Sequence, residues 1–195
     1  MTETSLSLLD RICRHPDDES WQRLVDVYTP LLHGWLRRYD AVQPADADDL
    51  VQEVLLTVTR ELPQFQHNRR TGAFRNWLRT ILVNRLRHFW RSRQRRPDAV
   101  GGSDFLGQLN ELEDAASGVS RVWNDEHDRH VIRRLLELTE PRFASSTWQA
   151  FRRQVMDGAS AAAVAPELGS SLHSVYAAKS RVLSTLRQQA EGLVG

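Results

Sequence analysis

Residues 69–96 carry the strongest chemical pattern in the sequence. This segment contains ten arginines and no aspartate or glutamate, and four aromatic residues lie among the arginines: Phe74, Trp77, Phe89 and Trp90. Guanidinium groups bind phosphate oxygens, and flat rings stack on unpaired bases. Ten like charges in so short a segment repel one another unless an anion lies nearby. We therefore predict that this segment contacts DNA, with its strands either paired or apart.

The aromatic residues of this segment have an alternative role inside the protein. Apolar side chains recur at steps of three and four residues, which predicts a helix with one buried stripe: Phe74, Trp77, Leu78, Ile81, Leu82, Leu86 and Phe89. Most of these rings are then packing residues. Arg85 projects into the stripe, which predicts either a buried ion pair with an acidic residue of another helix or a bend in the helix.

Charge is distributed along the chain in four blocks. Residues 1–68 carry 12 acidic and 6 basic groups, and residues 69–96 carry 10 basic groups alone. Residues 97–128 carry 8 acidic groups and 1 basic group, and residues 129–195 carry 9 basic and 5 acidic groups. Two basic blocks separated by an acidic one predict two DNA-contacting modules with a spacer between them.

The composition argues against several protein classes. A single cysteine, Cys13, cannot form a disulfide framework or a cysteine metal site. His127 and His130 have the spacing of metal ligands but lack further ligands, so we predict that they lie at a solvated helix start. No apolar run approaches the ~20 residues that span a bilayer, and no signal peptide is recognised, so we expect a cytoplasmic protein. We find no catalytic constellation, and we expect neither an enzyme nor a cofactor.

The N-terminal half shows two further helical patterns. Residues 21–35 have an apolar stripe that contains Pro30, which predicts a kink or two shorter helices. Asp46 is the predicted N-cap of the next helix, which Pro63 ends. One face of that helix is apolar, and the other carries Asp48, Asp49, Gln52, Glu53 and Arg60, together with Leu56. An acidic face with one apolar member can dock a partner, although a solvated face is the commoner meaning of such a pattern.

The C-terminal half begins with a change in composition. Residues 97–127 are rich in glycine, serine and acidic residues, so we predict a flexible acidic linker with a helical turn near residues 106–112. Residues 158–187 have the outline of a helix-turn-helix, with Gly169 in a left-handed turn and Ser171 as the cap of a longer helix. Ala162 and Ala165 are expected to let the two helices pack closely. A plain helical hairpin is the alternative.

These patterns together predict an all-α protein. No strand pattern appears, and we expect two helical domains, residues 1–96 and 128–195, joined by the linker at 97–127.

The order of the motifs resembles that of bacterial sigma factors. Residues 48–54, DDLVQEV, look like the DLVQE-type motif of that family. Residues 74–78, FRNWL, with Asn84 and Arg85, resemble the FRxWL…N segment of the group called extracytoplasmic-function sigma factors. Residues 174–181, SVYAAKSR, are similar to the region with which that group reads the upstream promoter element.

This resemblance implies a partner and a role for each motif. The acidic helix face resembles the surface that binds core RNA polymerase: Asp48, Asp49, Gln52, Glu53 and Leu56. The arginine-rich segment resembles the part that reads and opens the minus-ten element of promoter DNA: Arg69, Arg70, Phe74, Arg75, Trp77, Arg79, Arg87, His88, Arg91 and Arg95. The predicted helix-turn-helix resembles the reader of the minus-thirty-five element: Ser171, His173, Ser174, Tyr176, Ala177, Ser180 and Arg181. The family also implies an inhibitory anti-sigma factor.

Two other function classes remain as alternatives at this point. A stand-alone helix-turn-helix regulator would need a ligand-binding or dimerisation module, and the N-terminal half offers no evident one. A helical adaptor that binds only protein would leave the arginines solvated. The resemblance favours a sigma factor that directs core RNA polymerase to specific promoters and assists DNA melting.

Overall fold

The computed structural model describes residues 7–14, 17–65, 72–94 and 103–194, and within these ranges it contains helices and no strand. The prediction of an all-α fold is confirmed. The α-helices are α1 (Leu8–Arg14), α2 (Asp18–Leu36), α3 (Pro44–Glu61), α4 (Ala73–Arg93), α5 (Ser103–Glu113), α6 (Gly118–Thr139), α7 (Ser145–Val155), α8 (Ala161–Glu167) and α9 (Leu172–Ala190). No helix in these ranges has the length and hydropathy that a membrane crossing requires.

Local side-chain chemistry explains where the N-terminal helices begin. Asp17 caps α2, because its carboxylate accepts a hydrogen bond of 2.7 Å from the backbone amide of Ser20. Helix α2 continues through Pro30 without a break. Helix α3 starts earlier than predicted, at Pro44, a residue type that suits the first helical turn. Asp46 is therefore not the N-cap; its carboxylate accepts from the backbone amide of Gln43 at 3.3 Å.

The main hydrophobic core joins the first six helices. Tyr28 of α2, Val54 of α3 and Leu82 of α4 are at most 1 % exposed. Trp123 of α6 is fully buried, and its ring centroid lies 5.0 Å from that of Trp35 in an edge-to-face arrangement. Helix α6 is thus part of the core that α2, α3 and α4 build.

Residues 103–127 differ from the flexible linker that composition predicts. Helix α5 occupies residues 103–113, and α6 begins at Gly118, so that the predicted domain boundary at residue 127 lies inside a helix. Phe105, Leu109 and Leu112 are buried because they repeat at helical spacing and face α4. This stripe is sufficient to fold the segment despite its glycine and acidic residues. Residues 97–102 lie outside the described ranges.

The C-terminal helices α7, α8 and α9 pack on one another around small apolar side chains. The turn between α8 and α9 passes through Gly169, whose positive φ of 58° favours glycine, and Ser171 caps α9 as predicted. Ala161 and Ala165 are buried, whereas Ala162 is exposed, so the close approach of the two helices uses Ala161 where we expected Ala162.

The far end of α9 contacts the N-terminal helices. Gln189 accepts hydrogen bonds from Arg23 of α2 at 2.7 Å and from Thr139 of α6 at 3.0 Å. Leu193, which follows α9, is fully buried in the main core. The C-terminal helices are therefore anchored at their end to the N-terminal ones.

Candidate functional site

The acidic face of α3 consists of Asp48, Asp49, Gln52, Glu53 and Leu56, and all five side chains are exposed. Leu56 is 68 % exposed, the highest value for a large hydrophobic side chain in the described part of the chain. The opposite side of α3 is anchored by buried residues: Ala47, Leu50, Val51, Val54 and Val58. The helix is thus anchored by one side and presents carboxylates around an exposed apolar side chain on the other.

An open cleft of about 380 Å³ adjoins the acidic face, between α3 and α4. Asp49 and Glu53 line it from α3, and His88, Phe89 and Arg93 line it from α4. The Arg93 guanidinium donates to Asp46 at 3.0 Å and to the backbone carbonyl of Ala41 at 2.9 Å. Arg93 therefore fixes the N-terminal end of α3 against α4, and within the described residues Asp49 and Glu53 form no ion pair.

The arginine-rich helix α4 presents only some of its predicted DNA-contacting residues. His88 and Arg91 are exposed. Phe74 is fully buried and serves the core, where its ring packs on those of Tyr28 and Phe65. Trp77 is half-buried, with its ring centroid 4.7 Å from that of Phe65. Predicted contacts at Arg69, Arg70 and Arg95 lie outside the described residues.

Three other arginines of α4 face helices α5 and α6. The Arg87 guanidinium donates to both carboxylate oxygens of Glu113, at 3.0 and 2.6 Å. Arg75 forms an ion pair of 2.5 Å with Asp128. Arg79 is 6 % exposed, and burial lowers the pKa of its guanidinium. Arg75 and Arg87 are thus paired within the protein, and Arg79 is buried beside them.

The start of α4 is shaped to hold one of these arginines. Gly72 precedes the helix with a φ of 73°, and a Cβ atom there would lie 2.6 Å from the Arg75 Nη2 atom. A glycine at this position therefore leaves room for the Arg75 guanidinium to fold over the helix start.

Arg85 is half-buried, and no acidic residue of the described ranges forms an ion pair with it. Of the two predictions for this residue, the buried ion pair is not found. The buried arginine of this helix is Arg79.

A buried polar chain links α2, α4 and α6. The Tyr28 hydroxyl lies 3.2 Å from His127 Nε2, and His127 Nδ1 lies 3.0 Å from Asp128 Oδ1. Asp128 in turn pairs with Arg75. A neutral His127 that carries its proton on Nδ1 satisfies both contacts, since it accepts from Tyr28 and donates to Asp128. In this neutral form His127 connects Tyr28 through Asp128 to Arg75.

The sequence-based placement of the two histidines at a solvated helix start was wrong. His127 is fully buried inside α6, and burial is the main cause that lowers its pKa. His130 is half-buried, its Nε2 atom lies 2.7 Å from the backbone carbonyl of Val27, and burial lowers its pKa too. Their register with Trp123 and Val131 on α6 could have indicated burial. Within the described residues no group of side chains is arranged to hold a metal ion.

We expect acid to destabilise the protein through these histidines. Because the unfolded chain binds protons near the ordinary histidine pKa of 6.5 and the folded chain resists them, stability falls as pH drops below about 6.5. Replacement of His127 by Gln should reduce the pH dependence of the free energy of unfolding by up to about 1.4 kcal/mol per pH unit. Urea titrations at several pH values between about 7.5 and 5.5 measure the free energy of unfolding and its slope against pH. The unsubstituted protein, titrated in parallel, provides the reference slope.

The outward side of α9 carries the residues predicted to read the upstream element. Six of them are exposed: Ser171, His173, Ser174, Tyr176, Ser180 and Arg181. Ala177 is half-buried. The opposite side of α9 is fixed in the C-terminal core by Val175, Ala178 and Val182, each at most 6 % exposed. The structure therefore brings the predicted set together on one surface, whose most exposed large hydrophobic is Tyr176 at 57 %.

Comparison with known protein families assigns the N-terminal helices. Residues 24–96 match the family model for sigma-70 region 2. This match supports a sigma factor of the sigma-70 family. The match begins in α2 and contains α3 and α4, with both the acidic face and the arginine-rich helix, and it does not reach α5 to α9. No curated protein sequence matches the chain.

A sigma-70 region 2 supports a sigma-factor function, in which the protein binds RNA polymerase and takes part in promoter melting. The sigma-70 family consists of transcription factors that are not enzymes. The exposed carboxylates of α3 and the arginines of α4 both lie within the matched region.

Proposed function

We propose that this sigma-70 protein directs core RNA polymerase to specific promoters and belongs to the extracytoplasmic-function group. The observation that carries the proposal is the complete exposure of the acidic face of α3 inside the region 2 match. A solvated face needs no apolar member, yet Leu56 stands out from the surrounding carboxylates at 68 % exposure. Docking of the polymerase on this face explains both the charge and the exposed leucine.

The DNA-melting step is assigned to α4 and the segment that precedes it. His88 and Arg91 offer polar contacts on the exposed side of α4, and Arg69, Arg70 and Arg95 add positive charge next to it. Unstacking a base costs a few kcal/mol, and stacking in a protein site returns about 1–3 kcal/mol. Phosphate contacts to arginines add to that return. Melting is then driven by binding and requires no nucleotide hydrolysis.

Recognition of the minus-thirty-five element is assigned to the outward side of α9. Hydroxyl and imidazole groups at the start of this helix can donate to and accept from base edges in the major groove. Each DNA-contacting surface alone would bind weakly and with strong salt dependence. Polymerase bound at the acidic face holds both surfaces on one DNA molecule, so the second contact becomes intramolecular. We place the protein in the cytoplasm, where this partner acts.

Run-off transcription with core polymerase on a library of randomised promoters tests the proposal. We expect enrichment of promoters with two elements at a fixed separation. Tight and specific DNA binding in the absence of polymerase would instead favour a stand-alone helix-turn-helix regulator. Binding to polymerase with no effect on promoter choice would favour an adaptor.

Replacement of Tyr176 by Ala should alter preference at the upstream element only. Tyr176 is exposed on α9 and touches no part of the main core, so the fold and polymerase binding should persist. A lost side-chain contact to a base is worth about 1–3 kcal/mol, or roughly 5- to 150-fold in preference. Selection from the same promoter library measures the change. An equal loss of selectivity at both elements would contradict this assignment.

A further inference from the structure

We propose that α5 and the first part of α6 form an internal competitor for DNA, because their carboxylates occupy arginines of α4 that otherwise bind phosphate. We call residues 103–128 the acidic cover. The inference rests on the proposed role of α4 in binding promoter DNA, and it adds a means by which the free protein restrains that binding.

The ion pairs between the cover and α4 have the geometry of phosphate recognition. Arg87 donates through both Nη atoms to the two oxygens of Glu113, and through Nη2 to Asn110 at 2.8 Å. A bidentate arginine is the arrangement that also binds a phosphate group. The same hydrogen bonds hold the pKa of the Glu113 carboxyl below its ordinary value. Glu113 therefore substitutes for a phosphate at Arg87.

Asp128 plays the same part at the other end of α4. It pairs with Arg75, and hydrogen bonds from His127 and Arg75 hold its pKa below the ordinary value despite burial. Helix α4 is approached by carboxylates near its start and near its end. The cover thus contacts both ends of the helix that we propose binds promoter DNA.

Arg79 lies between these two pairs, and it is poorly satisfied in the covered state. Its side chain is buried, and the Nη1 atom has no hydrogen-bond partner in the described part of the chain. A buried cation without a bonded partner is costly. A phosphate at this position would supply the partner that the Arg79 Nη1 atom lacks within the described residues.

The cover is held by apolar contacts as well as by charge. Phe105, Leu109 and Leu112 are buried against the core, so opening exposes apolar surface. Their burial favours the covered state in the free protein. Competition by DNA therefore acts on the carboxylates of Glu113 and Asp128, while the apolar side chains of the cover stay in the core.

Two substitutions that remove only the competing charges test the competition. Glu113→Gln and Asp128→Asn should together raise the affinity for a short fluorescein-labelled single-stranded DNA of mixed sequence about tenfold, measured by anisotropy without polymerase. Each arginine released to phosphate should steepen the plot of log affinity against log salt concentration by about 0.7. The matched control is Glu111→Gln with Asp125→Asn. Both controls are exposed, lie on the same two helices and form no ion pair within the described residues.

The control pair changes the net charge by the same amount. It therefore distinguishes the loss of specific competing carboxylates from a general effect of net charge on DNA affinity. We expect it to change affinity less than twofold, with an unchanged salt slope. An equal gain in both double variants, or no gain in either, would overturn the proposal. If a thermal melt shows that the Asp128 variant is unfolded, the DNA affinity of Glu113→Gln alone tests the proposal. Its carboxylate is at the surface, and its gain should disappear when Arg87→Gln is added.

The same proteins assayed with core polymerase distinguish the two proposals. If the unsubstituted protein neither binds polymerase nor directs transcription, the proposed function fails. If it does both, and the Glu113 and Asp128 variants show no gain in DNA affinity, only the competition fails.

Discussion

Substitution of both Asp49 and Glu53 by lysine is expected to weaken binding to core RNA polymerase about 100-fold. Both side chains are exposed on the acidic face of α3, and a partner that is complementary to carboxylates meets like charges after the reversal. Neither residue contributes to the core, so helix content should remain unchanged. Binding can be measured by a pull-down with immobilised polymerase or by interferometry, and folding by circular dichroism.

The control for this experiment is Asp125→Lys together with Glu111→Lys. These carboxylates are also exposed, but they lie on α5 and α6, outside the region 2 match. They should leave polymerase affinity within about twofold of the unsubstituted protein, since exposed charges far from an interface contribute little. Loss of helix content in the Asp49 and Glu53 variant would show that the face is structural. Equal loss of binding in both variants would show that only net charge matters.

Replacement of Trp123 by Ala should lower the free energy of unfolding by about 3–5 kcal/mol. Trp123 is fully buried and packs edge to face on Trp35, so its removal leaves a cavity between α2 and α6. The size of the effect distinguishes a structural helix from a linker, because truncation of a side chain in a flexible segment costs almost nothing.

Val122 provides the matched control one residue away. It is 46 % exposed on the same helix, and Val122→Ala should cost less than about 0.5 kcal/mol. Urea denaturation followed by circular dichroism gives both values. A loss below about 1 kcal/mol for Trp123→Ala would mean that the first half of α6 does not belong to the core in solution.

Features governed by short-range chemistry were predictable from the sequence. The caps at Asp17 and Ser171 and the left-handed turn at Gly169 depend on residues within a few positions of one another. The apolar stripe of α4 is also local, and the structure buries Phe74, Leu82 and other members of it as the spacing predicts. The all-α fold follows from such patterns.

The engagement of the arginines was not predictable, because it depends on residues far apart in sequence. Arg75 and Asp128 are separated by 53 positions, and nothing near Arg75 indicates a partner. Helix α5 was also missed, because the glycine and acidic residues of this segment outweighed the apolar stripe of Phe105, Leu109 and Leu112 in the prediction. The basic and acidic blocks were visible as separate features. Only the tertiary structure shows that residues of the acidic block form ion pairs with arginines of the basic block.

Leu193 affects the distance between the two surfaces that we propose contact DNA. It is fully buried in the main core, directly beyond the helix that carries Tyr176. In the free protein, tertiary contacts, and not a flexible linker, therefore set the distance between α4 and α9. A change in this distance would have to withdraw Leu193 from the core, at a cost of about 1.5–3 kcal/mol, and would also break the hydrogen bonds of Gln189. Leu193 thus limits how far α9 can move away from the main core in the free protein.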